Sequence, residues 1–466
     1  MASLKTLTFS GKLYPFQQQV VEWSRSTNCG IIGLEMGLGK TVITLAMICE
    51  RNYRAIVVVL PLQILDQWRQ SIMRFTNLNA TEVCVFQGPR RKSMDLSRYR
   101  VVLTTYDVVR TDMDNPDSTL FQARRRFDCL ILDEAHKIRN KKTQSYATCC
   151  LLGGDIPAKW LLTGTTIINK FADFFTLCEF LDVPGFSRDT FKSATQAADW
   201  RKKYYFRMSK LEANLKLPDK SFHQHYLEFD DKHYQDYITL YVEATVLYQK
   251  YLADPTQLNF SVLLVKILRL RQCCNHPDAI LDQESYQIEE NRHDDQSSAK
   301  FNKILDIIHQ MPVDDKVLIF SQWSHSLEIL SSHLRSEGIC FLEYNGSQEI
   351  GERNRILTNF RNGTKQVLLI TITAGGVGLD LSFANHIIIM DSWWNQALED
   401  QAIDRVYRIG QTKKVEVHRL YMSNSIEAWM EEMKREKYKV DRQFHDNNQI
   451  YHTDQHLLTQ LLHRYV

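Results

Sequence analysis

Leu34-Glu35-Met36-Gly37-Leu38-Gly39-Lys40-Thr41 decides how the rest of the chain reads. A short apolar run, Ile31-Ile32, leads into it, and a helix-like pattern of Val42, Ile43, Leu45, Ala46 and Ile48 comes after it. Strand, glycine-rich turn and helix in that order make a phosphate-binding loop. Gly37 and Gly39 let the backbone fold tightly and aim its N–H groups at phosphate oxygens. The helix N-terminus adds partial positive charge. Lys40 then reaches the β- and γ-phosphates, and the Thr41 hydroxyl ligates magnesium. The expected nucleotide cradle is Glu35, Met36, Gly37, Leu38, Gly39, Lys40 and Thr41. The strict pattern wants glycine where Leu34 stands, and Gly-Lys-Thr alone also occurs in ordinary turns.

Asp133-Glu134-Ala135-His136 removes that second reading. The apolar run Leu130-Ile131-Leu132 reads as a buried strand that delivers two adjacent carboxylates to a sheet edge. Two carboxylates beside a triphosphate require a divalent cation between them. Asp133 is the expected magnesium ligand, through water, and Glu134 the group that polarises an attacking water. Similar runs recur at Ala55–Leu60, Val101–Leu103 and Trp160–Leu162, with helix-length segments between them. Strands alternating with helices imply an α/β doubly wound parallel sheet, whose ligands sit at the carboxyl ends of the strands. Thr163-Gly164-Thr165 comes directly after one of these strands. On the tripeptide alone it reads as a plain turn.

The chain has 466 residues and is 44% hydrophobic, enough for two or three domains with their own cores. Lys and Arg number 57 against 55 Asp and Glu, a net charge of +2, so a nucleic-acid surface must be a local patch. The candidate clusters are Arg90-Arg91-Lys92 and Arg124-Arg125-Arg126, each of which also reads as a solvated surface run. Ten cysteines form no CxxC spacing, and the pairs Cys149-Cys150 and Cys273-Cys274 suit reduced thiols rather than a zinc knuckle. His276 beside the second pair reads as packing. The first residues lack the apolar core of a signal peptide, and no apolar run approaches membrane-spanning length, so a soluble intracellular protein is expected.

Upstream of the loop, Pro15 suits the first turn of a helix with Val20, Val21 and Trp23 on its apolar side. Gln17 on that helix can offer its amide to an adenine edge, although a surface glutamine is the default. Downstream, residues 171–300 are less patterned. Tyr234, Tyr237, Tyr241 and Tyr248 recur at helical spacing and read as a helix core. Leu215–Lys220 and Gln283–Ser298 read as linkers. A second α/β pattern starts with Val317–Phe320 and continues through Val367–Ile370, His386–Met390 and Val415–Leu420. It has no phosphate loop, and its Gly375-Gly376-Val377-Gly378 lacks the spacing of a dinucleotide fingerprint. It does carry Arg405 and Arg408, which would face one way if they lie on a helix. Lys40 is the obvious cation of the first half, so these arginines are the expected source of further charge at the γ-phosphate. From Ser425 onward the chain is charged and helical in pattern, with Ser425 as cap and Ile426, Met430 and Met433 as a narrow apolar stripe.

The order of these motifs resembles the Swi/Snf-type branch of the superfamily-two helicase-related ATPases. The resemblance runs from about residue 10 to about residue 425 and rests on many matches. They include Gln17, Glu35–Thr41, Pro61-Leu62 with Trp68, Thr104-Thr105-Tyr106, Asp133–His136 and Leu161–Thr165 with Asn169. Leu268–Pro277, Phe320-Ser321-Gln322-Trp323, Gly346-Ser347, Ala374–Leu379, Asp391-Ser392-Trp393-Trp394-Asn395 and Gln401–Gln411 continue them. The resemblance implies two RecA-like doubly wound parallel-sheet lobes with helical insertions between them. The expected division is an ATP-binding lobe over 1–215, a helical insertion and linker over 216–298, a second lobe over 299–424 and a helical segment over 425–466. It also implies ATP and magnesium as cofactors and movement along double-stranded DNA, including nucleoprotein or chromatin, without strand separation. No membrane partner is implied, and a nuclear location is. Lys40, Glu134, Arg405 and Arg408 are its catalytic residues, with Gln17 at the nucleotide and Thr41 and Asp133 at the metal. The chain departs from the family at Leu34, Thr166, Ile168 and Met208, which stand for the usual Asp, Pro, Gln and Arg. Two rival readings remain. One is a strand-separating helicase; the other is a DNA-binding regulator with a vestigial ATPase.

Overall fold

The computed structural model describes residues 6–164, 171–183, 186–189, 194–254, 260–280, 298–372, 379–393, 396–432 and 434. The expected features at Thr165–Asn169, Ala374–Gly378, Trp394-Asn395, most of the 283–298 linker and Met433 lie outside these residues. The chain forms two compact units. The first runs to Leu217 and takes in Arg408–Gly410; the second begins at Pro218.

The first unit is a sheet of seven strands, all paired in parallel. Helix α1 (Pro15–Ser24) precedes β1 (Cys29–Leu34). After these come α2 (Lys40–Arg51), β2 (Ile56–Leu60), α3 (Leu65–Phe75), β3 (Val83–Val85) and β4 (Val101–Thr105). Next are α4 (Tyr106–Met113), α5 (Thr119–Ala123), β5 (Cys129–Asp133), α6 (Gln144–Gly153) and β6 (Ala158–Leu162). Helices α7 (Phe171–Leu181) and α8 (Ala194–Tyr204) lead to β7 (Tyr205–Met208). The strand order is β3-β4-β2-β5-β6-β1-β7. Every residue of β2, β4 and β5 is buried, as the unbroken apolar runs require when helices cover both faces. Burying each of Val57, Val58 and Val59 contributes roughly 1.5–3 kcal/mol. Alternate residues of each strand separate into two cores, one with Ile56, Val58 and Leu60 against α1–α3, the other with Val57, Val59 and Leu130 against α4 and α6. Pro15 does sit in the first turn of α1, and Val20 and Val21 are buried.

The second unit holds six parallel strands in the order β10-β11-β9-β12-β13-β8. These are β8 (Lys220–Leu227), β9 (Val317–Ser321), β10 (Phe341–Tyr344), β11 (Val367–Thr371), β12 (His386–Ile389) and β13 (Val415–Met422). Its helices are α9 (Asp231–Ala253), α10 (Phe260–Cys273), α11 (Ala299–Gln310), α12 (Ser324–Ser336), α13 (Ile350–Asn362) and α14 (Gln396–Ile403). The weakly patterned middle stretch therefore contains a strand, β8, whose eight residues pair along all of β13. It escaped the sequence because it is an edge strand with exposed Phe222 and Tyr226 rather than a buried apolar run. Tyr237 and Tyr248 of α9 are buried against α10 and against Ile426, Trp429 and Met430. Ser425 receives the Glu427 N–H at 3.1 Å, so it caps as its sequence suggests.

Candidate functional site

Four neighbouring strands of the first sheet, β5-β6-β1-β7, bring the sequence motifs together at their carboxyl ends. After β1, Gly37 and Gly39 adopt φ of 84° and 79°, left-handed values that favour glycine. Gly39 also caps α2, so the loop ends on a helix N-terminus, and Lys40 and Thr41 open the helix. Lys40 Nζ donates to the Leu34 carbonyl at 3.0 Å, which curls the side chain back over its own loop. Leu34 itself is fully buried core, so its side chain does not face a ligand.

Gln17 serves the loop from beneath. Its Oε1 accepts the Tyr14 N–H at 3.0 Å, and its Nε2 donates to the Leu38 carbonyl at 3.1 Å. A Cβ on Gly39 would lie 2.7 Å from Nε2, so the amide and the glycine fit one another. In this structure the amide expected at the adenine edge also braces the turn. Met36 and Leu38 are buried, while Glu35 is half-exposed.

The turn after β6 abuts the loop. A Cβ on Gly164 would meet Met36 Cγ at 2.6 Å and Lys40 Nζ at 3.4 Å. Gly164 is therefore more than a plain turn residue: any side chain there would push against the loop.

Asp133 ends β5 and is 5% exposed; Glu134 is 6% exposed. Trp68 Nε1 from α3 donates to Asp133 Oδ2 at 2.7 Å, and the Glu134 N–H donates to Oδ1 at 2.9 Å. Tyr106 Oη donates to the Asp133 carbonyl at 2.8 Å. Burial, then the neighbouring Glu134 charge, push the Asp133 carboxyl up to about 6, against the Trp68 hydrogen bond and the Lys40 charge. Glu134 holds φ of 52°, a left-handed value costly for a non-glycine residue and typical of functional turns. His136 Nδ1 lies 3.3 Å from Glu134 Oε2. Two buried carboxylates with one of them driven toward its neutral form are a natural seat for a cation. Asp133 and the Thr41 hydroxyl on the first turn of α2 are the residues that would hold magnesium.

Lys210, just past β7, lies beside the loop as well, with its side chain 9% exposed and its ammonium 3.5 Å from Glu35. This corrects the expectation that Lys40 is the one evident cation of this half. Sequence reasoning missed Lys210 because no local motif marks it; the parallel pairing of β7 with β1 puts it there. The basic clusters are partly committed elsewhere: Arg91 pairs with Asp112 at 2.8 Å and Arg125 with Asp155 at 3.3 Å. Arg126 donates to the Tyr99 carbonyl at 2.8 Å.

Arg405 and Arg408 do not share a helix face. Helix α14 ends at Ile403, and both arginines lie in the turns beyond it. The Arg405 carbonyl accepts the Leu381 N–H at 3.0 Å, and Arg408 Nη1 donates to the Leu379 carbonyl at 3.3 Å. The Leu381 N–H takes the Arg405 carbonyl, an acceptor that a longer helix would use within itself.

The ends of β9 and β12 in the second unit carry Ser321-Gln322-Trp323 and Asp391-Ser392-Trp393. Asp391 Oδ1 accepts the Gln322 N–H at 3.0 Å, and its Oδ2 takes the Ser321 hydroxyl and Asn275 Nδ2. The Ser392 carbonyl accepts from Gln322 Nε2 at 2.8 Å and Arg271 Nη2 at 2.7 Å. Lys300, fully buried, donates to Asn275 Oδ1 at 2.9 Å, the Met390 carbonyl at 2.7 Å and Glu427 Oε1 at 2.7 Å. His276 Nδ1 accepts the Asp278 N–H at 3.1 Å and its ring stacks on Phe301, so it serves packing. No helix among the described residues is long and apolar enough to cross a membrane.

A phosphate loop, an acidic pair and a second parallel sheet are the parts of a helicase-like ATPase. The SNF2-related domain matches residues 16–279, and the helicase conserved C-terminal domain matches residues 299–410. The chain belongs to the SNF2-related family of helicase-like ATPases. It is similar to the probable global transactivator of Orgyia pseudotsugata multicapsid polyhedrosis virus, 28% identical over 95% of this chain and 93% of that one. It is also similar to transcription termination factor 2 of Drosophila melanogaster, 28% identical over 80% of this chain but 47% of the fly protein. A putative ATP-dependent helicase/translocase of Bacillus subtilis is 28% identical over 94% of this chain and 49% of its own length. The chain thus spans nearly all of the viral relative and about half of these cellular ones. Among solved structures, a Sulfolobus solfataricus SWI2/SNF2 ATPase core in complex with dsDNA aligns over 95% of both chains, at 24% identity and a TM-score of 0.41.

Proposed function

We propose that this chain hydrolyses ATP with magnesium and uses the energy to move along double-stranded DNA, as a remodelling-type translocase. The observation that carries the reading is the Asp133–Glu134 pair, buried at the end of β5 and within electrostatic reach of Lys40 on the phosphate loop. In this reading Lys40 leaves the Leu34 carbonyl for the β- and γ-phosphates, and the loop N–H groups around Gly37 and Gly39 cradle them. Asp133 and Thr41 would hold magnesium, which would supply positive charge against the phosphates. Glu134 takes the proton of the attacking water. Arg405 and Arg408 supply positive charge that stabilises the negative charge building up on the γ-phosphoryl oxygens. The relatives' names, a probable global transactivator and a transcription termination factor, support a role in transcription, and action on nucleoprotein in a host nucleus is proposed with it.

The test is the ATPase rate without nucleic acid, with single-stranded DNA, with duplex DNA and with RNA. Stimulation by duplex DNA above the other three is expected, with no strand displacement. Equal rates in all four would overturn the translocase reading. A regulator with a vestigial ATPase is the second reading, favoured by the sequence departures at Leu34, Thr166 and Met208. The burial of Leu34 weakens that case, since its side chain lies in the core rather than at the phosphates.

A further inference from the structure

Strand β7 pairs with β1 in parallel, Leu34 opposite Met208. Parallel pairing sets the residues after Met208 beside those after Leu34, which form the phosphate loop. The Glu35 N–H donates to the Met208 carbonyl at 3.0 Å, and the Lys210 N–H donates to Glu35 Oε2 at 2.7 Å. The Lys210 ammonium lies 3.5 Å from Glu35 Oε1. One carboxylate is thus met by both the backbone and the side chain of a single residue. The lysine stem runs along Gly37, where a Cβ would lie 3.5 Å from its Cε. The turn that presents Lys210 is itself locked: Ser209 N–H donates to Glu212 Oε2 at 2.6 Å, and Glu212 N–H to Ser209 Oγ at 3.2 Å.

Glu35 opens the phosphate loop, its N–H already taken by the Met208 carbonyl, and its side chain is a problem there. A carboxylate at the mouth of a loop built for a triphosphate repels the ligand. A lysine this buried is costly unless an opposite charge meets it. Each answers the other. Resting on the ATP reading above, we propose that Lys210 is a positioning residue of the nucleotide site. It offsets the Glu35 charge and ties the entry of the phosphate loop to β7, so that the triphosphate meets Lys40 unopposed.

The experiment is titration of the full chain with magnesium and a fluorescent ADP analogue, without DNA, at low and at moderate salt. Lys210→Met should raise Kd about tenfold at low salt and less at moderate salt, because part of the repulsion is screened. Lys210→Arg should stay within about threefold of the parent, since it keeps the charge. Adding Glu35→Gln to Lys210→Met should recover most of the loss, because the unopposed carboxylate is gone while the loop backbone stays. A merely structural lysine would show neither the salt dependence nor this recovery. Parent-like binding by Lys210→Met at both salts overturns the proposal, as does a double variant as weak as Lys210→Met. Should Lys210→Met not fold, Lys210→Gln, which keeps much of the stem, reads the same loss of charge. A parent that binds no nucleotide removes the ATP reading and this proposal with it; a parent that binds beside a silent Lys210 variant removes this proposal alone.

Discussion

At the strand ends of the first sheet, Asp133 and Glu134 are buried side by side, and Asp133 is drawn upward to about 6 by burial and by its neighbour. At those of the second sheet, Asp391 and Glu427 are equally buried, but Lys300 holds Glu427, and Asn275, Ser321 and Gln322 fill the oxygens of Asp391. Burial pushes the Glu427 carboxyl up too, with the Lys300 charge pulling it back. The first arrangement sets two carboxylates side by side at a strand end, with His136 Nδ1 3.3 Å from Glu134 and the Lys40 charge acting on Asp133. The second closes on itself. A self-satisfied buried network adds little stability over apolar packing of the same volume, but it fixes geometry. Here it fixes two loops to each other through the Ser392 carbonyl. Two sheets of one architecture thus set buried carboxylates differently: one pair side by side, the other tied into a hydrogen-bonded network.

Variants can break that contrast. The largest effect is expected for Arg408→Ala, which removes charge that the acidic first site needs in the transition state. Nucleotide and DNA binding should persist while DNA-stimulated turnover drops by about 10³ or more. Full stimulation in a variant that binds both would show that Arg408 is not the completing charge. Next, Glu134→Gln should lower single-turnover hydrolysis by about 10²–10⁴ while nucleotide still binds. The amide keeps the shape of the carboxylate, so the fold should be spared; a rate equal to the parent's would end the assignment of Glu134.

The second site should behave in the opposite way. Lys300→Met leaves Glu427 buried without its cation and should cost about 3–5 kcal/mol in denaturant unfolding. Lys300→Met with Glu427→Leu should return most of that. If the single variant is as stable as the parent, the network does not close on Lys300. The smallest effect is a pH dependence. The folded-state value of Asp133 lies above its ordinary 3.8, near 6. Between those values the folded chain keeps a proton that the unfolded chain has released. Stability of the metal-free protein therefore falls as pH rises through that window, by at most about 3 kcal/mol from this group. Asp133→Asn should flatten this slope and stabilise the metal-free chain at neutral pH. An unchanged slope in thermal unfolding at pH 4–6 would place the titration elsewhere.

Some of the site was legible because its chemistry is local. A phosphate loop needs its glycines, lysine and threonine within a few residues, and the acidic pair needs a strand directly before it. Arg405 and Arg408 were legible as residues but not as geometry, since spacing alone cannot tell a helix from the turns beyond Ile403. The strand β8 was not legible, because an edge strand with exposed aromatics lacks the apolar run that marks a buried one.

The sequence by itself determined the two parallel sheets, the phosphate loop and the acid pair, because hydrophobic runs and glycine placement act over short range. It does not contain the strand order, which depends on how helices pack over each face and on which way each crossover turns. That order sets β6 between the acid pair and the loop, so that Gly164 abuts Met36. It sets β7 beside β1, so that Lys210 meets Glu35 across 175 residues. Packing of α3 carries Trp68 to Asp133 across 65 residues, and α11 carries Lys300 to Glu427 across 127. Buried charges need partners within hydrogen-bond reach, and at such separations only the folded chain can decide which ones they get.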